Sequence, residues 1–128
     1  MPELVRQRPG RMNAHAFLRL ADRQIHLIAT VLNDPDLPDR YKHDQVVPMV
    51  HTVAIQLQLA VGRLYRTNSR LTFRQRRRFF INRLAQLRQS VENNAHFGEH
   101  ETVRRLLLDA LRPETLRLVI PPTQTRLL

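Results

Sequence analysis

Apolar residues recur at helical spacing along most of this chain. In the first such segment the apolar positions are three or four residues apart: Phe17, Ala21, Ile25, Ile28 and Leu32. This spacing places them on one face of an α-helix. Asn13 is a suitable N-cap for that helix, and the Pro- and Asp-rich segment from Asp34 to Asp39 ends it. We therefore predict a first helix between Asn13 and Asn33.

A second apolar stripe predicts a longer helix that starts near Asp44, a capping residue. The stripe consists of Val46, Val50, Val53, Leu57 and Leu64, with Val47, Ala54 and Val61 beside it. An apolar face of this width needs more than one neighbour to cover it. Pro48 either occupies the first turn, in which case the helix starts at Val47, or it kinks the helix. Thr67–Ser69 ends or bends the helix.

Two further helices complete the pattern. The third runs from about Thr72, which can cap it, to Asn93. Its core stripe consists of Phe73, Phe80, Leu84, Leu87 and Val91. A turn over residues 93–98 leads to a fourth helix from about Glu99 to Leu111, and Pro113 starts a second, short helical segment.

These elements predict an all-α fold, most simply an antiparallel four-helix bundle with short loops, since no β-hairpin signal occurs. The bundle domain spans residues 13–120. A basic arm precedes it over residues 1–12, with Arg6, Arg8 and Arg11 as its charges, and a short tail follows at 121–128 after Pro121-Pro122.

Composition narrows the function classes. The 128 residues are long enough for one domain with its own core. The absence of Cys excludes a disulfide scaffold and thiolate metal sites, and three Gly are too few for a Gly-rich phosphate loop. Neither a membrane-spanning apolar run nor a secretory signal is visible. We therefore expect a cytoplasmic protein, or a nuclear one if the source is eukaryotic or viral, that does not associate with membranes.

Charge is the strongest signal. The chain carries 21 cationic residues against 11 acidic ones, for a net charge of +10, and Lys42 is its only lysine. No Asp or Glu occurs between Asp44 and Glu92, whereas nine arginines do. Like charges without counter-ions repel one another, and an external polyanion relieves that repulsion. Two alternatives are an acidic protein surface as the partner, and acids of other helices, such as Asp22 or Asp109, as counter-ions.

The charge pattern favours a non-enzymatic nucleic-acid-binding accessory subunit, which contacts phosphates of RNA or DNA through the third helix and the residues before it. The predicted contact residues are Arg63, Arg66, Arg70, Arg74, Arg77, Arg78 and Arg88. The alternative function is a protein-interaction adaptor that docks an acidic partner. Phe79 points about 100° away from the core stripe, so it either stacks on a base or packs against a second subunit. With the wide apolar second helix, Phe79 predicts a homo-oligomer.

A metal site is not expected, although His96-Phe97-Gly98-Glu99-His100 has the H-x-x-E-H spacing of inverted zinc peptidases. That chemistry needs both His on one helical turn, the Glu as base and a third ligand downstream. Gly98 and the preceding Asn93-Asn94 instead place the segment in a turn and a helix N-terminus. We predict no catalytic residues, no metal and no cofactor.

Three features of residues 38–91 carry a resemblance. Pro38-Asp39-Arg40-Tyr41 precedes the long apolar helix, Ala60 closes Leu57-Gln58-Leu59-Ala60, and the next helix contains Arg83-Leu84-Ala85-Gln86-Leu87-Arg88. This layout resembles the four-helix-bundle accessory protein of diversity-generating retroelements (accessory variability determinant) and its relatives encoded in ribosomal RNA insertions. The chain has no Trp, unlike the Trp-bearing end of that family.

The resemblance implies a small, basic, all-helical protein that assembles as a pentameric barrel and binds nucleic acid. For the retroelement member, it also implies a reverse transcriptase as the larger protein partner. The chain is similar, too, to the small helical subunit of CRISPR effector complexes, which is basic and packs along nucleic acid.

Overall fold

The computed structural model describes residues 12–66 and 71–118, and these form five helices. The helices are α1 (Ala14–Leu32), α2 (Asp39–Arg66), α3 (Phe73–Asn93), α4 (Ala95–Gly98) and α5 (Glu101–Ala110). No strand occurs in the described residues, so the predicted all-α class is confirmed. Arg6, Arg8 and Arg11 of the predicted arm, Arg70 and the predicted tail lie outside the described residues.

Two helices begin at the residues that the sequence predicts. The side chain of Asn13 accepts a hydrogen bond from the Ala16 amide at 2.8 Å and so caps α1. Thr72 caps α3 by accepting from the Gln75 amide at 3.1 Å, while the Gln75 side chain accepts from the Thr72 amide at 2.9 Å. This reciprocal pair is a capping box, which satisfies two backbone donors that the helix itself leaves free.

The predicted start of α2 at Asp44 is wrong, because the helix begins five residues earlier, at Asp39. The Lys42 amide donates to the Pro38 carbonyl at 3.0 Å, which makes the first helical hydrogen bond. Pro48 therefore lies well inside the helix and not in its first turn. Its ring removes the hydrogen bond that would reach the Asp44 carbonyl. Both residues are exposed, so solvent can serve that carbonyl.

The region after α3 also differs from its prediction. Residues 95–98 form the helical turn α4 where a plain turn is expected, and α5 begins at Glu101 and not at Glu99. After α5, residues 113–117 form one hydrogen-bonded turn and not a helix. The Leu118 amide donates to the Pro113 carbonyl at 2.9 Å and the Arg117 amide to the Glu114 carbonyl at 3.1 Å. Arg117 has a φ of 58°, the left-handed conformation that ends such a turn.

The core lies between the α1–α2 pair, which shares the largest helix interface, and the α3–α5 segment. The predicted stripes are buried except for Phe73, which is half-buried. Beside the α2 stripe, Val61 is buried and Ala54 is half-buried, but Val47 is exposed, so the apolar face of α2 is not covered over its full predicted width. Phe97 of α4 is fully buried, and Leu116 and Leu118 carry the core into the C-terminal turn. The C-terminal segment is thus part of the packed domain up to Leu118.

Among the described helices, α2 alone is long and apolar enough to cross a bilayer by length and composition. The mean hydropathy of its most apolar window is 1.2, and 33% of that window is buried within the fold. The buried part packs against α1 and α5. The expectation that no segment could span a membrane therefore does not hold for α2 by length and composition, although the fold is compatible with a soluble protein.

Candidate nucleic-acid interface

Two aromatic rings hold the end of α2 against the start of α3. The rings of Tyr65 and Phe73 lie 4.8 Å apart between centroids, tilted by 33°, a separation at which aromatic pairs attract. Arg66 follows Tyr65 and Arg74 follows Phe73 along the chain. Cationic side chains from both helices are therefore brought to one end of the domain, which we call the α2–α3 corner (Arg63, Arg66, Arg74 and Arg78).

Arg74 and Arg78 are the most available cations of this corner. Both are exposed, and neither makes a hydrogen bond or an ion pair with any described residue. They are four residues apart on α3, so their side chains lie on the same face and repel each other. Arg66 is exposed at the end of α2, and Arg63 is half-buried one turn before it. At a helix C-terminus both also interact favourably with the helix dipole.

Arg77 and Arg88 of the predicted set bind the protein's own backbone. Nη1 of Arg77 donates to the Leu118 carbonyl at 2.9 Å, and Nη1 of Arg88 donates to the Leu111 carbonyl at 3.2 Å. Both contacts are partly buried. The two arginines thus fasten the segment after α5 to the side of α3. This geometry assigns them a structural contact, which the helical projection of α3 alone does not reveal.

Two further arginines of α3, Arg76 and Arg83, make local contacts. Nη1 of Arg76 donates to the Leu71 carbonyl at 2.7 Å, and its guanidinium lies 5.8 Å from the centre of the Phe73 ring. Nη1 of Arg83 donates to the Gln86 side chain at 2.8 Å. Neither contact neutralises the charge, because a carbonyl, a ring and an amide carry no net charge.

Carboxylates of the other helices do not neutralise α3. Within the described residues, no arginine of α3 forms a salt bridge with an Asp or Glu. Asp22 instead lies 3.4 Å from His26, and Asp109 lies 4.0 Å from Arg112. Glu101 pairs with Arg104 and Arg105 on its own helix. The two acids considered as counter-ions for a solvated α3 face therefore lie beside other residues and not beside the arginines of α3.

The exposed side of α3 adds one aromatic ring and a set of amides to its cations. Phe79 is 52% exposed, as its position away from the core stripe predicts. The exposed amides of the same helix are Gln75, Asn82, Gln86, Gln89 and Asn93. Amide side chains donate to and accept from base edges, and an exposed aromatic ring offers a surface for base stacking.

A groove between α3 and α5 has a different character. Its cationic side chains are Arg88, Arg104, Arg105 and Arg112, and its acidic ones are Glu92, Glu101, Asp109 and Glu114. Because the two signs balance, this groove lacks the excess positive charge that a phosphate chain would need.

The H-x-x-E-H segment is split by the structure. His96 is exposed on α4, Glu99 follows that helix, and His100 is buried and lies before α5. Nδ1 of His100 faces Nε2 of His43 at 3.4 Å, which ties the start of α5 to the first turns of α2. No group of three or more His, Asp or Glu side chains that could hold a metal ion occurs in the described part of the chain.

The chain matches no protein-family model, no curated protein and no solved structure. The resemblance to the retroelement accessory proteins therefore remains a prediction. The α2–α3 corner and the outer face of α3 are the features of the molecule that bear on its function.

Proposed function

We propose that the protein is a non-enzymatic nucleic-acid-binding accessory subunit, which contacts the phosphates of RNA or DNA through the α2–α3 corner. The observation that carries this proposal is the pair Arg74 and Arg78. Both are exposed, like-charged and four residues apart, and neither has a partner within the described residues. A phosphate backbone would supply the negative charge that no described carboxylate provides to these two arginines.

The chemistry of the surrounding side chains supports the same partner. A guanidinium presents a planar set of donors that matches a phosphate group. The amides beside the arginines suit base edges, and Phe79 offers a ring on which a base can stack. Phosphate contacts orient such a protein without specifying sequence, so the proposal includes no defined sequence preference.

The four longer helices serve as the scaffold in this proposal, in the manner of a four-helix bundle. α3 presents the contact surface, and Arg77 and Arg88 lock the C-terminal segment against it. A larger protein partner, such as the reverse transcriptase or CRISPR effector that the resemblances imply, is part of the proposal.

The proposal is tested by reversing the two exposed arginines in Arg74→Glu/Arg78→Glu. The matched control is Arg19→Glu/Arg23→Glu, since Arg19 and Arg23 are also exposed and four residues apart, but on α1. Both variants change the net charge by the same amount. Binding to single- and double-stranded RNA and DNA is measured over a salt series, with helicity followed by circular dichroism.

We expect the α3 variant to lose most of its affinity and the α1 control to keep most of it. Each phosphate contact contributes about 0.7–0.9 to the slope of log K against log salt, so two lost contacts flatten the slope by about 1.4–1.8. Equal losses in both variants would show that net charge alone governs binding. If the wild-type protein binds an acidic polypeptide such as polyglutamate but no nucleic acid, the function is that of an adaptor for an acidic partner.

A further inference from the structure

The solvent side of α2 carries no charged residue over most of its length. Between Asp44 and Arg63 the sequence contains no Asp, Glu, Lys or Arg, although a quarter of the whole chain is charged. Much of this stretch is not buried: Ile55 is 61% exposed and Leu59 is 47% exposed. The exposed faces of α1, α3 and α5 all carry arginines. The uncharged surface of α2 therefore stands out in a strongly cationic protein.

The exposed residues of this stretch share one face of the helix. At 100° per residue, Pro48, His51, Leu59 and the half-buried Gly62 all lie within about 40° of Ile55 around the helix axis. The buried residues Val46, Leu57 and Leu64 lie on the opposite side. We call the exposed surface from Asp44 to Arg66 the α2 ridge. It is a helix face that no other described part of the chain covers.

Opposite charges close the two ends of the ridge. Asp44 is exposed at one end and Arg66 at the other, and both lie within about 20° of the direction of Ile55. Nη2 of Arg66 lies 3.3 Å from where a Cβ on Gly62 would be, which places its guanidinium over the ridge. Ile55 is eleven residues from each end (55 − 44 and 66 − 55). A two-fold rotation about an axis at Ile55 therefore brings the acidic end of one ridge opposite the basic end of a second, identical ridge.

We propose that two copies of this chain associate through their α2 ridges, in antiparallel orientation, with a two-fold axis at Ile55. This arrangement sets Asp44 of each copy opposite Arg66 of the other, and it sets Pro48 opposite Gly62, over which the Arg66 guanidinium lies. Both ion pairs form at once because the interface is isologous.

The distribution of charge makes the α2 ridge the surface through which two copies of this chain can meet. Two molecules of charge +10 repel each other, and contact through α3 would set arginines against arginines. The α2 ridge lets two copies meet without apposing like charges, and its only charged ends attract. Nucleic acid finds no cation along the ridge between Asp44 and Arg63. Arg66 belongs to both surfaces: when it pairs with Asp44 in the dimer, the phosphate contacts of the α2–α3 corner are made by its other arginines, Arg74 and Arg78 above all.

The length of the ridge sets the strength of the association. From Asp44 to Arg66 the helix extends about 33 Å at 1.5 Å per residue, and a helix is about 10 Å wide. The contact then covers roughly 330 Å² per copy, below the roughly 800 Å² per partner of a standard interface. We therefore expect a weak dimer that forms at high protein concentration and dissociates on dilution.

The interface is tested by sedimentation equilibrium of nuclease-treated protein over a concentration series, with Ile55→Glu as the variant. The control is Leu106→Glu, which places the same charge at a similarly exposed leucine on α5. Ile55→Glu sets two carboxylates against each other at the axis and should raise the dimer dissociation constant at least tenfold with unchanged helicity. Leu106→Glu should leave it within about twofold.

A charge exchange tests the antiparallel register at low salt. Asp44→Arg should weaken the dimer about fivefold, and Asp44→Arg combined with Arg66→Asp should restore it to within about twofold of the wild type. A wild-type protein that stays monomeric throughout, association unaffected by Ile55→Glu, or failure of the combined exchange to restore association would each overturn the proposal. Binding of a monomeric wild type to anionic phosphatidylserine vesicles, if lost in Ile55→Glu, would assign the ridge to a membrane instead.

Discussion

Replacing Arg77 with Ala should destabilise the fold, whereas the same replacement at its neighbour Arg78 should not. Both arginines lie on α3 within the same charged run, but only Arg77 reaches a partner, the Leu118 carbonyl, at 2.9 Å. Leu118 itself is fully buried. The loss of Arg77 therefore loosens the attachment of a core residue as well as one hydrogen bond.

The magnitude follows from the burial of the contact. Hydrogen bonds from charged groups contribute about 1.5–3 kcal/mol. The Arg77 contact is only partly buried, and its buried Nε has no hydrogen-bond partner, an unfavourable feature that the substitution removes. We therefore expect Arg77→Ala to lower the free energy of unfolding by about 1–2 kcal/mol. Arg78→Ala should change it by less than about 0.5 kcal/mol, since it removes only an exposed side chain that repels Arg74.

Urea unfolding followed by circular dichroism measures both values, and the slope of the transition shows whether the two variants unfold in the same way. The two variants should rank the other way in nucleic-acid binding. Under conditions where both are folded, Arg78→Ala should bind nucleic acid more weakly than Arg77→Ala does. Equal stability of the two variants, or a loss of stability in Arg78→Ala alone, would refute the structural role assigned to Arg77.

Two other variants test local features of the fold. Thr72→Ala removes one half of the capping box and should lower the free energy of unfolding by about 1 kcal/mol, measured by urea unfolding; a wild-type midpoint would show that the cap contributes nothing. Arg117→Gly should raise the free energy of unfolding by about 0.5–1 kcal/mol, because glycine adopts the positive φ of this position without the strain that a side chain causes. The greater conformational entropy of glycine in the unfolded chain offsets only part of this gain. A lower thermal midpoint for Arg117→Gly would contradict this.

The helices and their buried faces could be predicted because their signals are local. A stripe such as Phe80, Leu84, Leu87 and Val91 has a period that only a helix presents on one side, and the caps Asn13 and Thr72 act within one turn. The start of α2 is ambiguous in the local pattern, because Asp39 and Asp44 are both acids suited to a helix start. Pro48 favours a start at Asp44, because proline is best tolerated in the first turn of a helix. A start at Asp39 is possible when Pro48 lies on an exposed face, where solvent replaces the missing hydrogen bond.

The roles of individual arginines could not be predicted in the same way. A helical projection places Arg74, Arg77 and Arg78 along one edge of α3, but it does not show where the chain returns after α5. The backbone carbonyls of Leu111 and Leu118 come from that return, and they separate Arg77 and Arg88 from the exposed pair. Such tertiary contacts join residues that are far apart in sequence. The periodicity of apolar residues describes one helix at a time, so it does not predict these contacts.

The single lysine has a consequence for how the protein can be modified and labelled. Lys42 is buried, and its ammonium lies 3.8 Å from the Asp39 carboxylate. Acetylation and other lysine-directed reactions therefore find no exposed lysine on the basic surface, whose positive charge is carried by arginine alone. Acyl transfer to lysine cannot switch that charge, and a cross-linker finds no exposed lysine on this surface with which to react. Photochemical cross-linking through the exposed rings of Phe79 and Tyr65 is the chemistry suited to mapping what this surface binds.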